Sequence, residues 1–458
     1  MSEHFPSCSA SGHGACLTSW PCGIWFTAAE MVHPIVDAGT FLVVTEPRFL
    51  PVLAEAAGQA PRLKVVTTER AQGLPAIGDL RAPGAVPPER QPEPGEIALL
   101  AYTSGTTGVA KGALLPHRAI IANGTARAVA DALTWRDRVL IILPMAFTGG
   151  TSSYLRESLV TGATAVVGTT FDPLRVLELL ERERITICSA VPFVWETLLT
   201  LRQLDKADLS ALRACIGAGA TTPVEVIRAW QARGVGMRQG YGQTEFAGGY
   251  ATLLYEDDAE DKVGFVGRPI MHHEIRIADE HDRDVPAGQP GQILLRGPSV
   301  MAGYHNNPEA TAEALSQGWL HTGDIGLLDE DGYLKIVDRA RDMLISGGLN
   351  VYPAEIEAAI AGLPGLEECA VIGVPDDRWG EVPDAGRTVT RHDRHRGGEG
   401  SHHDTPGGLP PPGMDHRLWR PAAQDPGRQD RQTRDQVALP CGSGRGALIE
   451  VATGNLYF

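Results

Sequence analysis

The sequence predicts an α/β protein whose large N-terminal domain is built from doubly wound sheets. Short apolar runs alternate with helix-like segments between residues 26 and 231, and this order is typical of parallel strands with helices packed on both faces. One run, residues 139–143, is apolar throughout, as expected for a buried strand. A loop rich in glycine and hydroxyl groups, within residues 101–116, is the strongest functional feature.

Periodicity predicts the individual elements in chain order. Helices are expected at residues 27–38, 47–57, 117–133, 173–183, 192–201 and 223–231. Strands are expected at residues 41–44, 63–66, 97–102, 113–115, 139–143, 163–166, 185–190, 212–216 and 334–337. Residues 71–95, rich in proline and glycine, form a connector. Residues 1–25 show no periodic apolar pattern and are not expected to form a folded element.

Composition limits the class of protein. A chain of 458 residues is long enough for two or more domains. Its formal net charge of −16 argues against nucleic acid or an anionic membrane as the main partner. Its seven cysteines form no C-x-x-C pair, so we expect a reduced, cytoplasmic protein without a zinc site or a disulfide framework. No apolar run approaches eighteen residues, so neither a membrane span nor secretion is expected.

The loop in AYTSGTTGVAKGALLP, residues 101–116, has the composition of a phosphate-binding site. The apolar residues on either side predict a strand that enters the loop and a strand that leaves it, ending at Pro116. Glycines let backbone N–H groups approach an anion, hydroxyl groups donate hydrogen bonds, and a lysine supplies a mobile positive charge. The candidate phosphate-binding residues are Thr103, Ser104, Gly105, Thr106, Thr107, Gly108 and Lys111.

Two other interpretations of this loop compete with a phosphate cradle. An ordinary polar hairpin is favoured for a random Gly/Ser/Thr loop, but a sixteen-residue segment of this density argues against it. A P-loop NTPase motif nearly fits residues 105–111, but Ala110 stands at its second glycine and Gly112 at its Ser/Thr. The loop also leads into a strand rather than a helix, so no helix dipole faces the phosphates.

The segment TSGTTGVAKG, residues 103–112, resembles the signature loop of the acyl-adenylate-forming superfamily. That superfamily contains acyl-CoA synthetases, peptide-synthetase adenylation domains and firefly luciferase. Three further blocks support the resemblance, which covers roughly residues 26–383. It implies a small, mobile α+β C-terminal domain behind the large one, with ATP, Mg²⁺ and coenzyme A as cofactors and a small-molecule carboxylic acid as substrate.

The corner PMAFTGG, residues 144–150, matches the family segment that lines the acyl pocket. The resemblance implies that Phe147 gates or walls this pocket, although Phe147 as a plain core residue is an equal alternative. Peptide-synthetase adenylation domains place an aspartate after the corresponding phenylalanine to pair with the substrate ammonium, and this chain has Thr148 there. A buried ammonium without a counter-ion costs several kcal/mol. Amino acids are therefore poor candidate substrates.

The small-residue turn Gly217, Ala218 and Gly219 ends a predicted strand, where open α/β sheets bind ligands. The resemblance implies that this turn forms one wall of the adenine slot, with a tight turn that binds nothing as the alternative.

The block QGYGQTE, residues 239–245, combines an aromatic ring flanked by Gly240 and Gly242 with a carboxylate. A flat ring can lie against a purine, and a carboxylate near a polyphosphate can hold magnesium. The resemblance implies that Tyr241 stacks on adenine, Thr244 contacts the phosphate and the acyl carboxylate, and Glu245 binds Mg²⁺. Alone, this block could be a surface loop.

The third block, GWLHTGD at residues 318–324, ends in Asp324, which matches the family residue that holds the ribose. By the same resemblance Arg339 also contacts the ribose, and Arg341 is the hinge about which the C-terminal domain rotates. Gly347 and Gly348 resemble the glycine hairpin that lines the pantetheine tunnel after rotation. A plain glycine turn is the alternative for this hairpin.

The composition changes after residue 383. Residues 384–440 contain nine arginines, seven prolines and five histidines but no isoleucine, lysine, phenylalanine or tyrosine, and such a stretch cannot bury a core. We interpret this stretch, and residues 1–25, as translated in a wrong reading frame, with a natural disordered tail as the alternative. The expected organisation is 1–25 unstructured, 26–338 N-terminal domain, 339–383 start of the C-terminal domain and 384–458 anomalous.

The resemblance implies an acyl-CoA synthetase that forms an acyl-adenylate from ATP and then transfers the acyl group to coenzyme A. Its acid is fatty, cyclic or aryl. Lys335 is the last lysine in the chain, whereas the family has a later lysine that reaches the α-phosphate, so adenylation is expected to be slow. A carrier-protein-loading adenylation enzyme and a catalytically impaired nucleotide-binding protein are the alternatives. A homodimer is left open.

Overall fold

The structure, a computed structural model, describes most of the first 389 residues. The described ranges are 28–80, 92–103, 110–145, 148–152, 154–168, 171–339, 344–346, 349–351, 353–360, 366–376 and 380–389, with short strands at 419–421, 435–437, 439–441 and 445–447. Contacts divide the chain into two compact units. The first unit contains residues 1–322 and 327–336, and the second contains residues 323–326 and 337–458.

Twenty-five strands are numbered here in chain order over the described ranges. They are β1 Leu42–Thr45, β2 Lys64–Thr67, β3 Ile97–Thr103, β4 Lys111–Pro116, β5 Arg138–Ile141, β6 Thr164–Val167, β7 Ile187–Ala190, β8 Ala214–Ala218, β9 Gly236–Tyr241, β10 Thr252–Leu254, β11 Arg268–Pro269, β12 Glu274–Ala278, β13 Gly291–Arg296, β14 Gly303–Tyr304, β15 Leu315–Ser316, β16 Trp319–Leu328, β17 Leu334–Arg339, β18 Leu344–Ser346, β19 Leu349–Val351, β20 Leu366–Asp376, β21 Gly380–Val389, β22 Trp419–Pro421, β23 Asp435–Val437, β24 Leu439–Cys441 and β25 Arg445–Ala447.

The helices alternate with the strands in the first half of the chain. They are α1 Ala28–Asp37, α2 Leu50–Ala57, α3 His117–Ala130, α4 Thr148–Ser152, α5 Leu155–Thr161, α6 Pro173–Arg182, α7 Pro192–Leu199, α8 Val224–Gln231, α9 Pro308–Ala314 and α10 Pro353–Ile360. Short 3₁₀ helices occur at Pro47–Phe49, Ile77–Leu80, Leu204–Lys206 and Thr244–Phe246. Among the helices of the described ranges, none combines the length and the hydropathy needed to span a bilayer.

The α/β fold expected from the alternating pattern is confirmed, and the expected helices of the first unit differ from the observed ones mainly at their ends. Helix α3 stops at Ala130, three residues before its expected end. The reason is local: Ala132 adopts a left-handed φ of 49°, and Leu133 N–H donates back to the Ala128 carbonyl at 2.8 Å. This closing pattern satisfies helix carbonyls that would otherwise lack a donor.

Among the strands that the structure describes, the largest sheet has seven members in the order β11-β10-β9-β8-β7-β5-β6. Strands β5 to β9 pair with one another in parallel, and β10 and β11 add antiparallel pairs at the β9 edge. The chain order of the parallel strands reverses at β5, as in doubly wound sheets that bind ligands outside the carboxyl ends at the reversal. The loops after β5, β7, β8 and β9 therefore converge on one edge.

Apolar side chains of the parallel strands and of α6, α7 and α8 form the largest core cluster. It includes Leu140, Leu180, Trp195, Cys215 and Trp230, all buried. The indole rings of Trp195 and Trp230 meet edge to face with centroids 5.6 Å apart, and Trp195 Nε1–H donates to the Ile216 carbonyl at 3.1 Å. The helices are thereby held against β8 by both burial and a directional bond.

A second core joins the phosphate-loop hairpin to the turn that follows β9. Antiparallel strands β3 and β4 form the hairpin, and β14 extends it on the β4 side. Ala113 and Leu115 of β4 pack with Phe246, Ile293 and further residues of an antiparallel sheet made of β12, β13, β15, β16 and β17. Because Phe246 follows Glu245 directly, this packing holds the Glu245 turn close to the hairpin.

The second unit is built around the long antiparallel pair β20–β21. Its register runs from Asp376 opposite Gly380 to Leu366 opposite Val389. The described pairing thus continues a few residues past the composition change at residue 383. Val371 and Ala385 are the buried apolar residues between these strands and α10.

We expect Trp195→Ala to lower the free energy of unfolding of the first unit by about 3–5 kcal/mol, the usual loss for a buried aromatic side chain. Urea unfolding followed by circular dichroism measures this change. Phe193→Ala, on the same helix and 56% exposed, is the matched control and should change stability by about 0.5 kcal/mol or less. Equal losses in the two variants would contradict the assigned core.

Candidate functional site

The phosphate-loop hairpin presents two of its predicted residues at the mouth of the loop. Thr103 ends β3 and pairs with Lys111, which begins β4. Two residues of helix α1 bond to this hairpin: the His33 ring N–H donates to the Ala110 carbonyl at 2.9 Å, and Asp37 Oδ2 accepts from Tyr102 Oη–H at 2.7 Å. Helix α1 thus fixes the base of the loop. The predicted residues Ser104, Gly105, Thr106, Thr107 and Gly108 lie outside the described residues.

Lys111 and Glu245 both contact one tyrosine, Tyr304, that the sequence pattern did not single out. Tyr304 Oη–H donates to Glu245 Oε1 at 2.8 Å, and Lys111 Nζ lies 5.5 Å from the centroid of the Tyr304 ring. Burial and the neighbouring carboxylate raise the pKa of Tyr304 well above its usual value, so its phenol is a hydrogen-bond donor at neutral pH. The sequence feature that could have identified Tyr304 is an aromatic residue placed between Gly303 and the Asn-Pro pair that begins α9.

Thr244 and Glu245 lie on a 3₁₀ turn directly after β9. The Gln243 carbonyl accepts from Phe246 N–H at 3.0 Å and from Gly248 N–H at 2.9 Å, which closes the turn. The Glu245 carbonyl accepts from Met301 N–H at 2.9 Å, which ties the turn to the segment before β14. The carboxylate and the hydroxyl of this turn therefore project from a fixed backbone.

The corner that is predicted to line the acyl pocket contacts this turn through a pair of hydroxyl groups. Thr148, the first residue of α4, lies at the strand reversal after β5, and its Oγ1 is 2.7 Å from Thr244 Oγ1. Gly248 has a φ of 67° and leaves no room for a side chain against Thr148. The structure thus brings together Thr148 and Thr244, which the sequence analysis treated separately, whereas Phe147 lies outside the described residues.

The predicted adenine walls lie at the carboxyl ends of β8 and β9. Ala218 is in register with Gly240, and Tyr241, which is half-buried, ends β9. The Gln239 side chain accepts from Thr222 N–H at 3.1 Å and donates to the Ala220 carbonyl at 2.8 Å. It holds the turn that follows Gly217 and Gly219 beside β9, so the two walls are adjacent.

A buried polar network supports the loop that carries Thr244 and Glu245. Arg156 Nη1–H donates to the Ala247 carbonyl at 2.6 Å, and Asn123 Nδ2–H donates to the Tyr250 carbonyl at 3.2 Å. Arg156 also donates to Asn123 Oδ1 at 3.2 Å. Burial lowers the pKa of Arg156 to about 10, which still leaves its guanidinium charged at neutral pH. The loop from Gly242 to Tyr250 is therefore held at the Ala247 and Tyr250 carbonyls.

Arg127 provides the charge balance within this network. Its guanidinium lies over the Tyr250 ring, 3.9 Å from the centroid, and over the Tyr154 ring at 4.7 Å. Its ion pair with the fully buried Glu157 spans 3.3 Å. Burial is the largest single effect and lowers the pKa of Arg127, but the Glu157 carboxylate together with Tyr250, Tyr154 and Asp131 raises it, and the net shift is upward. Motif spacing did not indicate these residues, since a buried arginine in a helix has no short signature.

The remaining predicted residues belong to the second unit or fall outside the described ranges. Asp324 lies in strand β16, and Arg339 ends strand β17, with its backbone described. Both belong to the second unit. Arg341, Gly347 and Gly348 lie outside the described residues. Their ribose, hinge and tunnel roles stay predictions.

The donor set at Glu245 fits a hard cation that is shared with phosphate. Within the described ranges, no group of three His, Cys, Asp or Glu residues could hold a metal by itself. A single carboxylate, with the Thr244 hydroxyl nearby on the same turn, offers oxygen ligands only, which suits Mg²⁺ when phosphate oxygens and water complete its shell. The hydrogen bond from Tyr304 engages Oε1 of that carboxylate.

A cleft of about 510 Å³ lies elsewhere, between α3 and the β10–β11 edge. Its lining includes Val129, Tyr255, Arg268 and Tyr333. None of the predicted site residues lines this cleft.

His273 supports the Glu245 turn from the apolar side. Its ring packs edge to face on Phe246 with centroids 4.7 Å apart, and Nε2 lies 2.7 Å from Ser299 Oγ. Burial, with a smaller effect from the neighbouring His272, lowers the pKa of His273 to about 4. The folded protein therefore holds this ring neutral.

We expect acidification to destabilise the first unit through His273. Because the folded state binds fewer protons than the unfolded state between pH 6.5 and 4, this contribution is complete above pH 6.5 and is lost as the pH falls toward 4. The free energy of unfolding of the parent minus that of His273→Asn should fall by on the order of 3 kcal/mol as the pH drops from 6.5 to 4. Urea unfolding at several pH values measures it.

His281→Asn, at an exposed histidine, is the control and should leave the pH dependence unchanged. A pH dependence that is the same in His273→Asn and in the parent would contradict the assignment.

Comparison with known proteins adds to this geometry. Residues 15–305 match the family model described as AMP-binding enzyme, and residues 355–394 match the model of the AMP-binding enzyme C-terminal domain. The chain is 39% identical over 354 residues to a feruloyl-CoA synthase of Amycolatopsis sp, covering 77% of this chain and 70% of that protein. It is 40% identical over 315 residues to an indoleacetate–CoA ligase of Aromatoleum aromaticum, covering 68% and 62%.

The fold is also similar to a solved structure that contains nucleotide and metal. The o-succinylbenzoate coenzyme A synthetase from Bacillus subtilis, in complex with ATP and magnesium ion, superposes with a TM-score of 0.68 at 28% sequence identity. The similarity covers 79% of this chain and 72% of that one.

Proposed function

We propose that this chain, which belongs to the AMP-binding enzyme family and is an AMP-forming acid–CoA ligase, activates a ring-containing carboxylic acid. The carrying observation is the row Lys111, Tyr304 and Glu245, with Thr244 and Thr148 beside it. A mobile cation, a metal-binding carboxylate and donor hydroxyls are the groups that a triphosphate and an attacking carboxylate need.

The reaction divides into two balanced steps. In the first, a carboxylate oxygen of the acid attacks the α-phosphorus of ATP, and the bond to pyrophosphate breaks. In the second, the sulfur of coenzyme A attacks the acyl carbonyl, AMP leaves with the bonding electrons, and the thiol proton is released. We assign Lys111 to the charge of the phosphates and Thr244 to orientation of the phosphate and the acid. Glu245 would hold Mg²⁺, which supplies further charge neutralisation when bound.

The acid is proposed to carry an aryl or cyclic body. The two relatives at about 40% identity are named for feruloyl and indoleacetyl transfer, and both acids contain rings. Thr148 supports a neutral acyl pocket because it is buried and its hydroxyl pairs with Thr244. An amino-acid ammonium would find no counter-charge at that position. Fatty acids are the runner-up class.

We expect AMP formation from ATP and coenzyme A with a hydroxycinnamic or arylacetic acid. Lys111→Met should lower kcat/KM for ATP by about 100-fold or more, since a charge that contacts the transferred group is lost. Coupled assay of AMP and pyrophosphate release measures this change. Lys206→Met, a substitution in the Leu204–Lys206 turn, is the control and should leave the rate unchanged. No AMP formation with any ring-containing or fatty acid would contradict the proposal.

The acceptor distinguishes the two enzymatic alternatives. Free coenzyme A is proposed as the acceptor, as in the named relatives. A carrier-protein-loading enzyme would share the first step but would transfer the acyl group to a phosphopantetheinyl protein. Supplying each acceptor in turn separates these functions.

We also place the protein in the cytoplasm, in keeping with the buried free thiols of Cys188 and Cys215.

We propose that adenylation is impaired in the 458-residue chain. Lys335 is its last lysine, so a late lysine that could reach the α-phosphate and the acyl carboxylate does not occur in this sequence. ATP–pyrophosphate exchange should be slow, whereas thiol transfer from a supplied acyl-adenylate should survive. An ordinary exchange rate would contradict this prediction. Tight ATP binding without AMP formation would instead support a nucleotide-binding role.

A further inference from the structure

We infer that Tyr304 is a positioning residue that keeps Lys111 and Glu245 apart before the nucleotide binds. The inference rests on the proposed function, since it concerns the phosphate cation and the metal-binding carboxylate of that site. Tyr304 touches both groups: its ring faces Lys111 Nζ at 5.5 Å, and its hydroxyl donates to Glu245 Oε1 at 2.8 Å.

The backbone around Tyr304 is fixed on both sides. Tyr304 pairs with Ala113 on β4, two residues beyond Lys111. Ala302 N–H donates to the Leu114 carbonyl at 2.8 Å, and His305 N–H donates to the Gly112 carbonyl at 2.7 Å. These two bonds bracket Tyr304, so the tyrosine and the lysine share one strand ladder and keep a constant spacing.

Helix α9 also anchors the Tyr304 backbone. Tyr304 N–H donates to Thr311 Oγ1 at 2.8 Å. The Asn307 side chain caps α9 by accepting from Ala310 N–H at 2.9 Å, and Pro308 begins the helix. A capped helix start of this kind is a rigid attachment point. The Tyr304 backbone is therefore held by the strand and by the helix.

The tyrosine suits this place because it offers a different surface to each charge. A ring face attracts an ammonium through its quadrupole, and a phenol O–H donates to a carboxylate. A direct Lys111–Glu245 ion pair is the competing arrangement, and it would turn the cation away from phosphate and the carboxylate away from the metal. Tyr304 satisfies each charge singly, so both stay available when a metal–triphosphate complex arrives.

Tyr304→Phe tests the hydroxyl because it keeps the ring and removes one oxygen. We expect the Mg²⁺ concentration that half-saturates ATP binding to rise about tenfold, the effect of losing one hydrogen bond to a charged group. Isothermal titration calorimetry with ATP at several Mg²⁺ concentrations measures this shift. AMP, which lacks the β- and γ-phosphates, should bind both proteins equally. An unchanged Mg²⁺ requirement would overturn the inference.

The matched control is Tyr255→Phe. Tyr255 is also a partly exposed tyrosine, and its hydroxyl donates to the Ala130 carbonyl at 3.1 Å, a bond that involves no predicted site residue. This variant should keep the parent's Mg²⁺ requirement. An equal shift in both variants would show that loss of any such hydroxyl loosens the fold, and would overturn the positioning role.

Two further variants separate positioning from folding. Lys111→Met added to Tyr304→Phe should cost less ATP affinity than Lys111→Met alone, since the collapsed ion pair has already removed the lysine from the phosphates. Tyr304→His restores a ring with an N–H donor and should recover most of the Mg²⁺ response, and it serves as the test if Tyr304→Phe unfolds. Strict additivity, or no recovery in Tyr304→His, would contradict the inference.

The binding measurement also separates this inference from the proposed function, because it needs no acid and no turnover. If the parent protein binds ATP without any Mg²⁺ dependence, the proposed function fails. If the parent shows that dependence and Tyr304→Phe matches it, only the inference fails.

Discussion

Buried arginines hold the turn that carries the proposed metal ligand. Arg156 binds the Ala247 carbonyl and, through Asn123, is linked to the Tyr250 carbonyl. Buried charge is costly unless it is paired and hydrogen-bonded. Here Arg127 forms an ion pair with Glu157, and its guanidinium lies over two tyrosine rings. A loop held by such a network loses several bonds at once if it moves, and this cooperativity gives Glu245 and Thr244 a defined position.

The short strand β14 links this turn to the phosphate-loop hairpin. Its ladder with β4 places Tyr304 beside Lys111, and the Glu245 carbonyl is bonded to Met301 just before that strand. A cation and a carboxylate that must both act on one ligand attract each other in its absence. Tyr304 contacts both groups. Its ring satisfies the Lys111 charge and its hydroxyl satisfies the Glu245 charge, so each group stays available for the ligand.

The position of the whole cluster follows from the sheet. Parallel strands bring the loops at their carboxyl ends to one edge, and the strand order reverses at β5. Thr148 follows β5, Ala218 ends β8 and Tyr241 ends β9, so the acyl corner and both predicted adenine walls lie along that edge. The same rule that governs simpler doubly wound proteins thus explains why residues almost a hundred positions apart meet.

The sequence by itself determined the class of fold and singled out Lys111, Thr244 and Glu245 as candidate site residues, whose roles stay predictions. These conclusions are local: hydrophobic periodicity sets strands and helices, and a dense Gly/Ser/Thr/Lys loop has few uses other than phosphate binding. The strands β10 to β16, the buried Arg127 network and the contact of Tyr304 with both charges were decided by tertiary structure alone. They depend on pairs of residues far apart in the chain, such as Glu245 and Tyr304, whose proximity no local pattern records because it arises only when separate strands pack together.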